Sequence, residues 1–250
     1  MVDLHCHILF GLDDGPKNIE DSLAMAEDAI ADGITHVVAT PHCSSQFLFD
    51  FANVRAARDA LAEKLHARLK LATGCDFHLN HENLLAVRKH PVPFCINQKD
   101  YLLVEFNEFS IPPAMDQTLH ELQLAGLRPI ITHPERNPIL RENLQRVVEW
   151  AEQGCVIQMT GSALTGFWGE RTRHAAEWLL ESQAVHVLAT DAHDLEKRVP
   201  ILSTSRDAAA QIVGDEVAEA LVNDNPSAIV NDQPLPFFPR PSAISSYRKK

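Results

Sequence analysis

Seven short apolar runs, rich in β-branched residues, recur along the chain. They lie at 2–7 (VDLHCH), 36–42 (HVVATPH), 69–76 (LKLATGCD), 101–106 (YLLVEF), 128–133 (RPIITH), 155–160 (CVIQMT) and 185–191 (VHVLATD). Between most of them, apolar residues repeat at the three- or four-residue spacing of a helix. Ile19, Leu23, Ala26 and Ile30 make one such stripe; Leu144, Val147, Val148 and Ala151 make another. Asn18 is placed to cap the first helix and Gly33 to end it. Strands that alternate with helices predict an α/β fold, a parallel sheet covered by helices. The apolar pattern alone leaves open whether that sheet is flat or closed.

The polar positions bear on the choice. The runs end at His5 and His7, His42, Asp76, Glu105, His133, and Asp191 with His193. Parallel α/β folds bind ligands at the C-terminal edge of their strands. Distant strands of an open sheet cannot reach one point, whereas those of a barrel can. If these residues share one site, the sheet is closed.

Composition narrows the reading. The chain has 250 residues, 45% of them hydrophobic, enough for one large barrel domain, here placed at 1–232. A formal charge of -12 repels nucleic acid and anionic lipid, so neither is expected as a partner. No apolar run reaches the ~18 residues of a membrane span, and the N-terminus lacks the pattern of a secretory signal. Cys6, Cys43, Cys75, Cys95 and Cys155 are scattered without a CxxC pair, which predicts a reduced, cytoplasmic protein. Residues 233–250 hold four prolines and end in Arg248-Lys249-Lys250; they are expected to be extended or disordered. Both a partner-docking segment and a plain terminus fit that tail.

Alternation along a strand predicts that Asp3, His5 and His7 share one face while Cys6 points away. Two imidazoles on one face can bind one metal ion, with Asp3 orienting an imidazole through its second nitrogen. An HxH pair also occurs as ordinary strand histidines. ATPH (39–42), THPER (132–136) and TDAH (190–193) repeat the design, however, and Glu105 lies in an apolar strand where an unpaired carboxylate is costly. The donors exceed what one four-coordinate zinc needs, so a cluster is expected, and mixed histidine and carboxylate ligands suit Mn²⁺, Fe²⁺ or Zn²⁺.

DLHCHILFGLDDGP, ATPH, TGCDF, LVEF, THPERN, QMTGSALTGFWG and ATDAHDLEKRVP together resemble the polymerase-and-histidinol-phosphatase (PHP) superfamily. Within it they are similar to the bacterial capsule-associated protein-tyrosine phosphatases. The matching pieces run in family order from residue 3 to about 200. The resemblance implies a distorted (β/α)7 barrel with three metal ions at the C-terminal strand ends, manganese foremost. It implies His5, His7, Asp14, His42, Asp76, Glu105, His133, Asp191 and His193 as ligands, with Arg136 and Arg198 on the phosphate. Asp13 competes with Asp14. Asp76 stands where the family usually has glutamate, one methylene longer, which puts a bridging role in question.

The activity so implied is phosphotyrosine hydrolysis by a metal-activated hydroxide, on the tail of a bacterial tyrosine kinase of polysaccharide export. A phosphatase of histidinol phosphate or a sugar phosphate would use the same metals. An amidohydrolase would need a metal-bridging lysine at a strand end, and no run ends in one. A non-catalytic, metal-stabilised scaffold recruited through its tail is a further alternative. A cysteine-nucleophile phosphatase is excluded, because the residues six positions after the five cysteines are Leu12, Phe49, His81, Tyr101 and Gly161, none of them arginine. Phe167 and Trp168 are read as packing over the barrel, with a place near an aromatic substrate as the alternative. The remaining histidines, among them His78 and His186, are assigned to packing or surface.

Overall fold

The structure, a computed structural model, describes residues 1–112 and 114–241. It is an α/β fold with parallel sheets. The strands are β1 (Val2–Cys6), β2 (His36–Ala39), β3 (His42–Cys43), β4 (Lys70–Thr73), β5 (Asp76–His78), β6 (Tyr101–Glu105), β7 (Arg128–Thr132), β8 (Val156–Thr160) and β9 (Val187–Ala189). All seven apolar runs become strands, and two of them are split, into β2–β3 and β4–β5. Pro41, which has no N–H to give the ladder, sits in the first break. Backbone bonds bridge it: Gly74 N donates to Ala39 O at 2.9 Å and Asp76 N to Pro41 O at 3.1 Å.

These breaks divide the ladder into a three-stranded sheet, β1-β2-β4, and a six-stranded sheet, β3-β5-β6-β7-β8-β9. The expected single closed barrel is therefore not present as one continuous ladder. Between β1 and the end of β9 there is an isolated bridge, Cys6 to Ala192. Around it His7 N donates to Ala192 O (2.8 Å) and Asp191 N to His5 O (2.7 Å).

Both faces of the strands are buried, which is why they read as nearly continuous apolar runs. Val37, Ala39, Leu102, Val104, Ile131, Ile157, Met159 and Leu188 join an outer core beneath the helices. Alternate residues form a second core: Val38, Ala72, Tyr101, Leu103, Ile130, Val156 and Val187, with Ile96, Ile229 and Val230. Continuing along that inner face, each strand changes from apolar to ionisable or polar at its C-terminal end. Tyr101 and Leu103 lead to Glu105, Val38 leads to His42, Ala72 to Asp76, Val156 to Gln158, and Val187 to Asp191. The inner core thus forms an apolar floor beneath a polar rim.

The first strand departs from simple alternation. Asp3 pairs with Val37, but Cys6 pairs with Ala39, so the register shifts between them. Leu4 belongs to the inner core, and the next residue, His5, also turns inward to reach Gln158. Irregularities of this kind re-aim side chains next to active sites. Asp3 is left on the outer side with Thr190.

Among the helices, Ile19–Ala31 is capped by Asn18, whose side chain accepts from Asp21 N at 2.9 Å. Gly33 follows its end at φ +88. Its buried face centres on Ser22, Met25, Ala26 and Ala29, while Leu23 and Ile30 pack at the margin. Leu144, Val147, Val148 and Ala151 are buried as their spacing predicts. Near the C-terminus, Gln233 O accepts from Tyr101 Oη at 3.0 Å, Phe237 N donates to Asn225 Oδ1 at 3.0 Å, and Phe238 lies 4.2 Å from the His186 ring. The basic end, 248–250, lies outside the described residues. No helix among the described residues is long and apolar enough to cross a membrane.

Candidate metal centre

The residues at the strand ends meet. His5, His7, Asp14, His42, Asp76, Glu105, His133, Asp191 and His193 fall into four overlapping groups whose donor atoms lie within 4.8 Å of one another. The groups are His7, Asp14, His42 and His193; His5, His7 and Asp76; His5, His133 and Asp191; and His42, Asp76 and Glu105. His5 Nε2 is 3.2 Å from His7 Nε2, 3.4 Å from Asp191 Oδ1 and 3.5 Å from Asp76 Oδ2. His42 Nδ1 is 3.1 Å from Asp76 Oδ2 and 3.7 Å from Glu105 Oε2. His133 Nε2 is 3.6 Å from Glu105 Oε1. Two of the nine hold strained backbone: His133 at φ 33 and Asp191 at φ 52 are non-glycine residues in the left-handed region. Such strain tends to persist where a site needs a particular side-chain aim.

Their surroundings fit cations. Both Asp76 oxygens, His42 Nδ1 and His193 Nε2 are buried without a hydrogen-bond partner among the described residues. Burial opposes charge on the His5 and His42 rings, but the nearby carboxylates outweigh it. Asp191 and Asp76 push His5 to about 9, and Asp76 with Glu105 pushes His42 to about 10. Burial, then the Asp76 charge, holds the Glu105 carboxyl far above its usual range. Burial, then the Arg136 charge, drives His133 far down, and burial with His7 lowers His193 to about 4. Carboxylates crowded among imidazoles without matched hydrogen bonds do not make a self-sufficient polar network, and their donor set could hold divalent ions.

The structure separates Asp13 from Asp14. Asp14 Oδ1 faces the cluster, 3.3 Å from His193 Nε2 and 3.5 Å from His42 Nε2. Asp13 is buried behind it, with Oδ2 2.6 Å from His7 Nδ1 and 2.9 Å from His42 N, and Oδ1 3.0 Å from Gly15 N. It therefore orients His7 from the nitrogen opposite the cluster. Gly15 makes this turn possible: a Cβ there would lie 2.3 Å from His7 O. His5 is oriented by Gln158 Oε1, 3.0 Å from its Nδ1. Asp3, expected to orient an imidazole, does not. Asp3 faces outward by alternation between Val2 and Leu4, and the register shift that follows turns His5 inward, away from it; Asp3 accepts instead from Thr190 N (3.0 Å) and Thr190 Oγ1 (2.5 Å), tying β1 to the end of β9.

Gln158 carried no signal in the sequence beyond its place in a strand. His78, assigned to packing or surface, stands at the edge of the cluster, 3.4 Å from Glu105 Oε2. Only its register opposite Glu105 reveals this.

Arg136 and Arg198 both reach Asp191. Arg136 Nη1 and Arg198 Nη2 bond its Oδ2, the latter at 2.6 Å, while Oδ1 faces the histidines. One carboxylate thus joins the donor cluster to two guanidinium groups. Glu135 precedes Arg136 in the chain but turns into the interior. It is fully buried, and its Oε1 accepts from Thr160 N at 2.9 Å. Trp168 packs against the outer core and also presents its ring to Arg136, whose Cζ lies 3.8 Å from the ring centroid.

A parallel α/β fold with a histidine and carboxylate constellation on its C-terminal strand edge is the class these features define. The chain belongs to the capsular polysaccharide synthesis CpsB/CapC family, whose model matches residues 1–231. It is 34% identical over 202 residues to the tyrosine-protein phosphatase YwqE of Bacillus subtilis, covering 79% of each chain. It is 30% identical over 243 residues to the tyrosine-protein phosphatase CpsB of Streptococcus pneumoniae, covering 93% of this chain and 99% of that one. In structure it superposes with a TM-score of 0.90 and 30% identity on a chain described among the YwqE and CpsB metal-dependent tyrosine phosphatases, covering 98% and 100%. Dihydropyrimidinase from Brevibacillus agri shares the fold alone, at 12% identity and a TM-score of 0.55, covering 91% of this chain and 69% of that one.

Proposed function

We propose that this chain is a metal-dependent protein-tyrosine phosphatase whose substrate is a bacterial tyrosine kinase of polysaccharide synthesis, acting in the cytoplasm. The observation that carries this reading is the shared Asp191 carboxylate, with metal donors on one oxygen and two arginines on the other. The named activity of the relatives and the capsule-synthesis family support it. We read the two sheets as a distorted (β/α)7 barrel with the tail from 233 appended, supported by the inner core, which takes residues from each of the seven apolar runs. Three ions, manganese foremost, are the proposed occupancy, held by the nine strand-end donors. Asp76 would be a shared ligand residue, because it belongs to two donor groups and neither of its oxygens has a hydrogen-bond partner among the described residues.

Divalent cations, when bound, supply charge against the phosphate oxygens and lower the pKa of a coordinated water from 15.7 to about 7. The protein's own residues do the rest. Arg136 and Arg198 offer in-plane N–H donors to the phosphoryl oxygens. Asp13 and Gln158 hold His7 and His5 with their Nε2 atoms toward the cluster. A tyrosine phenolate leaves with a pKa of about 10, so no strong general acid is required of the protein.

The test is metal analysis of the purified protein together with turnover of phosphotyrosine peptides against alkyl phosphates. Bound divalent metal and preference for phosphotyrosine are expected. Turnover undiminished by exhaustive chelation, or preference for an alkyl phosphate, would overturn the proposal.

A further inference from the structure

We infer that Trp168 is a positioning residue: its indole is a platform that fixes Arg136 and Arg198 as a two-armed phosphate clamp. This rests on the phosphatase reading of the same site. The Arg136 Cζ stands 3.8 Å and the Arg198 Cζ 5.6 Å from the Trp168 ring centroid. The arginines come from separate loops, 136 after β7 and 198 after β9, and the ring is a surface they share. Both also bond one oxygen of Asp191. Arg136 is thus held from two sides, by charge at one edge and by contact with the aromatic ring, while Arg198 is held by the same carboxylate and lies within cation–π range of the same ring.

Stacking suits a clamp. A guanidinium stacks through its planar face, and its N–H donors lie in that plane. The ring therefore restricts tilt without consuming donors that a phosphate needs. A cation over an indole is also attracted to it electrostatically, more so when partly desolvated.

The platform is itself held. Trp168 Nε1 donates to Ser162 Oγ at 2.9 Å. Phe167 meets the indole edge-on, with centroids 5.1 Å apart. Ser162 belongs to the short helix Gly161–Ala163 directly after β8, and that turn is pinned: a Cβ on Gly161 would lie 2.5 Å from Ser205. The loop's aromatic pair is therefore carried by a rigid strand end at the same sheet edge as the donors. Phe167 is 48% exposed, whereas Trp168 is covered on its arginine side, so the indole is the member of the pair committed to the clamp.

The experiment uses the metal-loaded full chain with inorganic phosphate as the probe. Its affinity is measured by calorimetry for wild type, Trp168→Leu, Trp168→Phe and Arg136→Ala, beside metal content, thermal midpoint, and KM and kcat on a phosphotyrosine peptide. Trp168→Leu is expected to bind phosphate about tenfold more weakly and to raise KM more than it lowers kcat, with metal content unchanged. Trp168→Phe, which keeps a π face, is expected within about threefold of wild type. If Arg136→Ala weakens phosphate binding while Trp168→Leu does not, the platform is wrong and the phosphatase reading stands. If neither variant weakens it, the arginine clamp falls, and the platform with it. Loss of metal from Trp168→Leu would also overturn the inference, since the ring would then be supporting the donor cluster itself.

Discussion

Asp13→Asn tests the orientation of His7. Three donors converge on the Asp13 carboxylate: His7 Nδ1 at 2.6 Å, His42 N at 2.9 Å and Gly15 N at 3.0 Å. His7 and His42 share Oδ2, and Gly15 uses Oδ1. An asparagine has one acceptor oxygen and one donor amide. With its oxygen at the Oδ2 position it keeps His7 and His42 but sets NH₂ against Gly15 N–H. In the opposite orientation it keeps Gly15 and sets NH₂ against the other two donors. Either way at least one contact becomes repulsive, and where the bond to His7 survives it loses its charge. Bonds to charged groups are worth about 1.5–3 kcal/mol against about 1 for neutral ones. The net loss at His7 is therefore about 0.5–2 kcal/mol, or about two- to thirtyfold in metal affinity, which overlaps the roughly ten- to hundredfold seen when such outer partners are removed. The assay is competitive titration of Mn²⁺ and Zn²⁺ against a chromogenic chelator, with the metal-free thermal midpoint measured in parallel. Weaker metal binding with a folded metal-free protein is expected. Metal affinity within twofold of wild type would refute the orienting role.

Three further outcomes follow from the same geometry. Gly15→Ala should lose metal and destabilise the fold, because the new Cβ meets a backbone carbonyl at 2.3 Å and not a side chain that can swing away; wild-type metal content and thermal midpoint would contradict this. His186 is buried, its Nδ1 accepts from Ile157 N at 3.0 Å, and burial lowers its pKa to about 3. Its folded pKa lies below the unfolded value of 6.5, so the stability it contributes is present above pH 6.5 and is lost as pH falls toward 3. At pH 5 the wild type should have lost about 2 kcal/mol through this group, and His186→Asn, which keeps an acceptor for Ile157, should lose that much less between pH 7 and 5 in urea titrations of metal-free protein; identical losses would exclude the contribution. Cys43→Ser should keep most phosphatase turnover, with the wild type sensitive to chelation and not to thiol alkylation. Cys43 is buried and its pKa is lowered chiefly by a hydrogen bond with Cys75; an inactive variant together with inactivation by alkylation would point to a thiol nucleophile.

The sequence by itself determined the strand series, the helical stripes at 19–30 and 144–151, and the type of chemistry at the strand ends. These features depend on local period and on residue type. Apolar runs buried on both faces must become strands covered by helices, and donors that end them must lie on one edge. What the sequence could not decide depends on register and on contacts between distant residues. Alternation set Asp3 beside His5, but the shift after Asp3 turned His5 to the inner face and left Asp3 on the outer one with Thr190, 187 positions away. Asp13 and Asp14 are neighbours of one residue type, and only the turn through Gly15 sends one behind His7 and the other toward His193. Gln158 and His78 gained their places from strands paired across the sheet. Trp168 met Arg136 because loops after two different strands converge above the same inner core. A local pattern fixes which way a side chain faces relative to its own strand; which partner it faces is set only when the strands are registered against one another.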